Sequence, residues 1–366
     1  MTLTMEERGA TVRDYSLHGE SAKQAVERGL VAAQWYHTDV PREKLRELME
    51  RKDGPAIRDT IIWLGLMVVF AVTAIALWPS WWSAPFWLAY GVLYGSASDS
   101  RWHECGHGTA FKTRWMNRVT YQIACFCMIR NPIGWRWSHS RHHSDTIIVG
   151  RDPEINIMQP PNLVVAALNM VGILDAWNGL KTMVINATGT VTADQALYVP
   201  KPEQPKMIAV ARWWVAIYTT VILTAIAMQS MLPLMVIGLP RLYGAWHHVL
   251  TGLLQHGGLA EDVLDHRLNT RTVYMNPISR FIYLNMNYHV EHHMFPMVPY
   301  HALPKLHDLI KHDLPEPNSG FLDGFKEMWS VWRRQMNGEH YWLKRELPKG
   351  AKPYRDEFHA DVDLAV

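Results

Sequence analysis

The sequence predicts an all-α integral membrane fold: four transmembrane helices in two hairpins, with a cytosolic helical cap that holds a histidine-rich dimetal site. Three observations carry this expectation. Two regions of the chain contain long runs without a single charge. Lys and Arg gather at the ends of those runs. Eight histidines fall in three tight clusters, all on the Lys- and Arg-rich side.

Residues 1–58 read as a charged N-terminal cytosolic segment. Its opening, MTLTMEERGATVRDYSLHGE, has no apolar core and is not a secretory signal peptide. PREKLRELMERKDG (41–54) is expected as a solvated surface helix that ends at Gly54-Pro55. Thr60 to Trp78 is uncharged, and a helix of that length rises about 28 Å, close to the thickness of the hydrocarbon core. Pro79-Ser80 breaks it, and Trp82 to Ala97 is a second uncharged run. The first hairpin therefore spans about 60–78 and 82–99. Trp213 to Pro240 is uncharged as well, with a turn expected near Gln229-Ser230, just before Pro233. The second hairpin is placed at about 210–229 and 232–252. Arg241 falls inside the last span, where a charge costs a few kcal/mol. It is placed at the membrane surface in preference to a polar cavity.

Arg51, Lys52 and Arg58 precede the first span, Arg101, Lys112 and Arg114 follow the second, and Lys201, Lys206 and Arg212 precede the third. The positive-inside rule puts these flanks in the cytoplasm. An even number of spans then brings all three histidine clusters to one face of a multi-pass inner-membrane protein. Trp115 to about Trp177, with its apolar runs broken by Asn169 and Asp175, reads as interfacial or cap structure. The membrane domain runs over 59–300, and 301–366 form a soluble C-terminal cytosolic segment. His301, His307 and His312 in that segment read as surface or capping residues.

Composition narrows the function. A net charge of +2 provides no basic patch for nucleic acid. A mean hydropathy of −0.12 leaves much of the chain in water. The 17 Trp and 14 Tyr suit membrane interfaces. Cys105, Cys125 and Cys127 make no disulfide framework, and the Cys125-x-Cys127 pair reads as apolar filling.

The clusters are His103 and His107 in HECGH, His139, His142 and His143 in HSRHH, and His289, His292 and His293 in HVEHH. A buried imidazole needs a polar partner, and neutral imidazole is the commonest metal ligand. Residues at i, i+3 and i+4 share a helix face, so three short helices are expected to aim all eight rings at one point. Eight exceeds the need of one four-coordinate zinc and suits two ions. Ligating imidazoles donate their other ring N–H to an acceptor. Glu104, Asp152 and Glu291 are the candidates for that role, with Asp145 and Glu154 also close in sequence. Asn287 reads as a cap or network residue.

WHHVLTGLLQHGGLAED adds His247, His248 and His256. His248 and His256 stand about 12 Å apart on a helix, too far for one metal to take both. His256, before the helix-ending Gly257-Gly258, is favoured as a ninth ligand. His247 and His248 then support the ligands or face substrate. HECGH also matches the H-E-x-x-H of zinc peptidases, with Glu104 as general base. An intramembrane zinc metalloprotease is the alternative reading, but it gives no role to six further histidines. A metal transporter would place its histidines inside the spans, and these lie outside them.

HxxxH, HxxHH and HxxHH, set around two membrane hairpins, resemble the integral-membrane fatty acid desaturase and hydroxylase superfamily over roughly residues 60–300. QHGG around His256 looks like the extra-ligand region of that family. HECGHGT, SHSRHH and NYHVEHHMFP look closest to a bacterial branch that includes rhizopine-catabolism oxygenase-like proteins. The resemblance implies two Fe ions held by His103, His107, His139, His142, His143, His289, His292, His293 and His256. It implies O2 as cosubstrate, with two external electrons per turnover. The reaction would be desaturation or hydroxylation of an unactivated C–H bond in a lipid-like or small amphiphilic substrate. The sequence contains neither the heme-binding HPGG of a fused cytochrome b5 nor a ferredoxin-like Cys set. The expected partners are membrane lipid and a separate ferredoxin or similar donor with its reductase. Arg136, Arg141 and Arg151 lie where an acidic donor would dock, but each reads as solvated charge. Imidazole sites bind Zn(II) more tightly than Fe(II), so zinc-loaded recombinant protein is expected to be inactive.

Overall fold

The computed structural model describes residues 13–355 and Phe358. Among them every regular element is helical, apart from two isolated bridges that pair Thr272 with Tyr288 and Val273 with Asn318. Most of the opening stretch read as lacking a signal peptide, residues 1–12, lies outside the described residues.

Helices α1 (Glu20–Glu27) and α2 (Arg42–Leu48) lead into α3 (Asp53–Ala76). The surface helix is shorter than expected, because Gly54-Pro55 open α3 rather than close α2. Proline is tolerated in a first turn, where its missing N–H has no helical partner. Asp53 anchors that start by accepting the backbone N–H and the hydroxyl of Thr113, at 2.9 and 2.7 Å. Ile61, Val68, Val69 and Val72 of α3 point outward, the reverse of a helix in water. At its far end Trp81 is 91% exposed beside an exposed Trp82, a placement that suits an interfacial aromatic belt.

Helix α4 (Ala84–Gly95) returns against α3, and Trp63 ties the pair by donating its indole N–H to the Leu93 carbonyl at 2.9 Å. The chain passes through Ser96 into α5 (Ala97–His107), on which α6 (Arg114–Cys127) packs; α7 (Pro132–Ser144) follows. Helices α8 (Leu163–Met170) and α9 (Ile173–Ala187) meet at 79°. After α10 (Ala193–Tyr198) comes α11 (Gln204–Ala227), with Ile222, Leu223 and Ile226 facing out. Its turn falls where expected, at Gln229 with φ +48°. The chain returns through α12 (Leu232–Val236), α13 (Pro240–Tyr243) and α14 (Trp246–His256). Helices α15 (His266–Asn269), α16 (Pro277–Ile282), α17 (His289–Met294), α18 (Leu303–Ile310) and α19 (Phe321–Met336) complete a polar layer.

Among the described residues two helices, α3 and α11, are long and apolar enough to cross a membrane, or three if α8 and α9 form one bent span. The other two expected spans are not single helices. The second changes direction at Ser96, and the fourth is cut at Gly238 (φ +99°) and again at Gly244. These cuts turn α13 inward and overturn the expected placement of Arg241. Arg241 is fully buried and pairs with Asp175 of α9 rather than lying at the membrane surface. Arg101 is buried too, donating to the carbonyls of Ala97, Phe281 and Ile282. Cys125 and Cys127 fill core positions as free thiols.

One apolar core runs from Trp63 and Leu93 through Tyr121 and Met286 to Leu303 and Leu306, joining the first hairpin to the polar layer. The N-terminal stretch straps that layer. Arg13 pairs with Glu261 and Asp262, Tyr36 donates to Asp313 at 2.6 Å, and Trp35 stacks on His266 at 4.3 Å.

Contact between α4 and α13 depends on two glycines. A Cβ added at Gly244 would sit 1.7 Å from the Gly91 carbonyl oxygen, whereas one added at Gly252 meets nothing within 4 Å. Gly244→Ala is therefore expected to cost at least about 3 kcal/mol. Thermal denaturation in detergent should show a large loss for Gly244→Ala and almost none for Gly252→Ala.

Candidate metal centre

Four helices bring nine imidazoles together. Helix α5 supplies His103 and His107, α7 supplies His139, His142 and His143, α14 supplies His256, and α17 supplies His289, His292 and His293. Their ends place the rings. Asn131 caps α7 by accepting the N–H groups of Ile133 and Gly134 at 3.0 and 3.3 Å. Helix α5 stops right after His107 at Gly108, in the left-handed region at φ +70°. Gly257 ends α14 directly after His256, and Pro296 follows the close of α17.

The rings form two groups rather than converging on one point. His103, His107, His139, His143 and His292 make the first; His142, His256, His289 and His293 make the second. Within each group the donor atoms lie within 4.8 Å of one another. Successive helical residues are about 100° apart, so i+3 points away from the i, i+4 pair. The second and third boxes therefore straddle both groups, in opposite senses. His139 and His143 join the first while His142 joins the second. His289 and His293 join the second while His292 joins the first.

Nε2 atoms approach at 2.7 Å for His103 and His292, and 3.1 Å for His107 and His139. The separations are 3.1 Å for His139 and His143, 3.2 Å for His143 and His292, and 3.2 Å for His289 and His293. Two nitrogens each about 2.0–2.1 Å from one ion, at right angles, stand about 3 Å apart.

Hydrogen bonds fix where several of the ring protons reside. His139 Nδ1 faces Glu154 at 3.0 Å, and His142 Nδ1 faces Asp152 at 2.8 Å. His256 Nδ1 lies 2.8 Å from the Asn269 carbonyl, which can only accept. Thr146 spends its hydroxyl proton on the His142 carbonyl, so it accepts from His293 Nδ1 at 3.3 Å. In the second group three rings thus turn unprotonated Nε2 atoms inward, and His256 Nε2 is buried without any partner. Lone pairs gathered this way, away from water, call for a cation. The residues present fit a pair of metal ions.

Burial favours the neutral form these rings need. It lowers His107 to about 4. It also holds His103, His139, His143, His289, His292 and His293 well below the usual imidazole range. His142 is the exception: burial opposes its charge, but Asp152 and Glu154 outweigh burial and raise it. Burial pushes the Glu154 carboxyl up to about 7, and a nearby dication is its natural counter-charge.

Of the acids expected beside the rings, Asp152 is there, also accepting the Ile147 N–H at 2.8 Å. Glu104 and Glu291 are not. Glu104 follows His103 directly and so points elsewhere on α5. Its Oε1 accepts the Tyr300 N–H at 3.1 Å, its Oε2 is buried without a partner, and burial pushes its carboxyl up to about 7. Glu291 takes the Thr272 hydroxyl at 2.6 Å and pairs with His307. His307 is therefore a buried residue, not the surface residue expected. Asp145 is held by Arg141 and Arg151 at 2.6 and 3.2 Å. Asn287 bonds the Val273 carbonyl, a network role. His247 meets Ser279 at 3.2 Å and His248 faces Arg241 at 3.3 Å, neither within the groups. The Asn269 carbonyl and Thr146 had no sequence signal, since any residue supplies a carbonyl and Thr146 lies outside the boxes. With Glu104 turned to Tyr300, the peptidase reading lacks its general base.

The sequence matches the family model "Fatty acid desaturase" over residues 76–324. A chloroplastic omega-3 fatty acid desaturase of Ricinus communis is 22% identical over 281 residues, covering 65% of this chain and 56% of that protein. An endoplasmic-reticulum omega-6 fatty acid desaturase of Glycine max is 33% identical over 97 residues, covering 26% of this chain and 25% of that protein. An sn-1 acyl-lipid omega-3 desaturase (ferredoxin) of Synechocystis is 34% identical over 84 residues, 23% of each. The chain thus spans between 23% and 56% of the length of these relatives.

Three variants test the centre by metal content, read by mass spectrometry of the purified protein. His256→Ala should lower bound metal, whereas His248→Ala should leave it unchanged. Asp152→Ala, which removes the acceptor of the His142 N–H, should weaken metal binding by roughly 10–100-fold.

Proposed function

This chain belongs to the fatty acid desaturase family, and from that premise we propose that it is a membrane-bound, non-heme diiron oxidoreductase. It uses O2 and externally supplied electrons to desaturate or hydroxylate an unactivated C–H bond of a lipid-like or small amphiphilic substrate. The observation that carries the reading is the sorting of nine buried imidazoles into groups of five and four, with the Nδ1–H of His139, His142 and His256 turned outward to acceptors.

One iron would be held by His103, His107, His139, His143 and His292, the other by His142, His256, His289 and His293. When bound, the pair supplies O2 activation and accepts the two external electrons. This chain's own residues do the rest. Glu154 and Asp152 hold the His139 and His142 rings in the ligating tautomer and offset cationic charge. Trp102 walls the first group, its ring 5.6 Å from His103 and 5.1 Å from His139. The buried setting excludes bulk water from the ligand nitrogens and, His142 apart, disfavours their protonation.

The protein is read as a multi-pass protein of the bacterial inner membrane with four passes: α3, α4, α11 and the broken return α12–α14. The outward apolar faces of α3 and α11 support this, as do the exposed Trp81 and Trp82 at the hairpin tip. The site then opens to the cytoplasm, where a soluble donor reaches it. The Synechocystis relative carries ferredoxin in its name. A ferredoxin-type donor with its reductase is the electron source proposed for this chain.

The test is product analysis. Iron-loaded enzyme with O2 and a ferredoxin system should yield substrate with two hydrogens fewer, or with one oxygen more, over a panel of lipids and small amphiphiles. His292→Ala should lose both metal and product, and Glu104→Gln should keep its metal. Product formation by His292→Ala at the wild-type rate would sink the proposal.

A further inference from the structure

Beneath the histidine layer, α9, α13 and α14 enclose a second polar group that the metal centre does not use. Asp175 on α9 bridges the guanidinium groups of Arg130 and Arg241. Arg241 Nη2 also lies 3.3 Å from His248 Nε2. A guanidinium only donates, so His248 Nε2 accepts and the ring proton sits on Nδ1. Arg130 Nε, Arg241 Nε and Nη1, and His248 Nδ1 are then buried N–H donors with no acceptor. The nearby carboxylate of Asp99 is engaged by the Trp102 indole at 3.0 Å.

A surplus of charged and polar donors at a site with 0% exposure for the Arg241 side chain is costly unless something accepts from them. The group is not solid core, since Arg130 and Asp175 keep 21% and 25% of their side-chain surface accessible. It also connects to the metal centre. The Arg130 guanidinium lies 3.8 Å over the Trp135 ring, Trp135 meets Trp102 at 4.8 Å, and Trp102 lies against His103 and His139. His248 and His256 stand two turns apart on α14, about 12 Å.

We propose that this pocket anchors an oxyanion, a carboxylate or phosphate, at one end of the substrate, whose apolar remainder reaches the histidine clusters. The inference rests on the oxidoreductase reading for its role but not for its detection. A tunnel for an uncharged acyl chain would need no such donors. An oxyanion offers several acceptor sites to the Arg130, Arg241 and His248 N–H groups.

The test is binding to metal-loaded wild-type protein in a non-ionic detergent, without an electron donor, read by calorimetry and by thermal shift. The probes are decanoate, decyl phosphate, methyl decanoate and decyltrimethylammonium. Decanoate or decyl phosphate should bind about tenfold or more tighter than the ester, the equivalent of one charge-assisted hydrogen bond or more. Whichever of the two binds tighter identifies the oxyanion. Arg130→Gln and Arg241→Gln should each erase the preference over the ester. The wild-type comparison stands even if Arg241→Gln does not fold. Equal binding of acid and ester, or tighter binding of the ammonium compound, would overturn the anchor, as would no binding at all. Oxyanion binding without product from iron-loaded enzyme would instead sink the oxidoreductase reading and leave the pocket standing.

Discussion

The structure depends on keeping a set of imidazole lone pairs unprotonated and convergent inside protein. Nitrogen lone pairs at these separations repel unless a proton or a cation lies between them. Protons are withheld in two ways. Burial disfavours the charged ring, and acceptors outside the cluster hold the single neutral N–H on Nδ1 for His139, His142, His256 and His293. Both leave Nε2 directed into the cluster, although at His142 the Asp152 and Glu154 carboxylates oppose burial and favour the charged ring. The position of Glu154, Asp152, the Asn269 carbonyl and Thr146 is therefore as much a part of the centre as the rings.

The backbone serves that convergence through its stops. Helices α5 and α14 each end within one residue of a ring that must enter the cluster, at Gly108 and Gly257. Helix α17 is shorter than two turns, with all three of its histidines buried. Longer helices would carry the neighbouring residues past the centre. The membrane-facing part is built differently. There α3 and α11 are long and apolar on their outer faces, and the close glycine contact of Gly91 with Gly244 lets α13 approach α4 at backbone distance.

Much of this was legible in the chain. The uncharged runs located α3 and α11, because a long charge-free stretch has few other uses. The box spacings pointed to eight of the nine rings, and Gly257-Gly258 singled out His256 over His248. Two groups instead of one point follow from the 100° step between i+3 and i+4, so that division was present in the spacing but not drawn from it. Other features were out of reach. Glu104 and Glu291 sit inside the boxes yet bond to Tyr300 and His307, because adjacency in a helix sends neighbouring side chains in different directions. Glu154 reaches His139 from the following loop, and its competitors Asp145 and Glu104 look the same in one dimension. Arg241 was misplaced for a similar reason. Its counter-charge, Asp175, is 66 residues away in sequence, and only the broken return brings the two together.

That last pairing bears on how the two halves of the molecule cooperate. A buried guanidinium is tolerated only where its charge and its N–H groups are answered. Asp175 answers part of both for Arg130 and Arg241, which tethers α9 to α13 and to the segment after α6. The same segment leads directly into α7, and α13 leads directly into α14. Any shift of the Arg130–Asp175–Arg241 bridge is therefore transmitted to the helices that carry His139, His142, His143 and His256. The polar pocket and the histidine groups share their supports, so what occupies the one constrains the geometry of the other. On the proposed reading, that shared scaffold would let the binding of one end of the substrate set the position of the carbon that reacts.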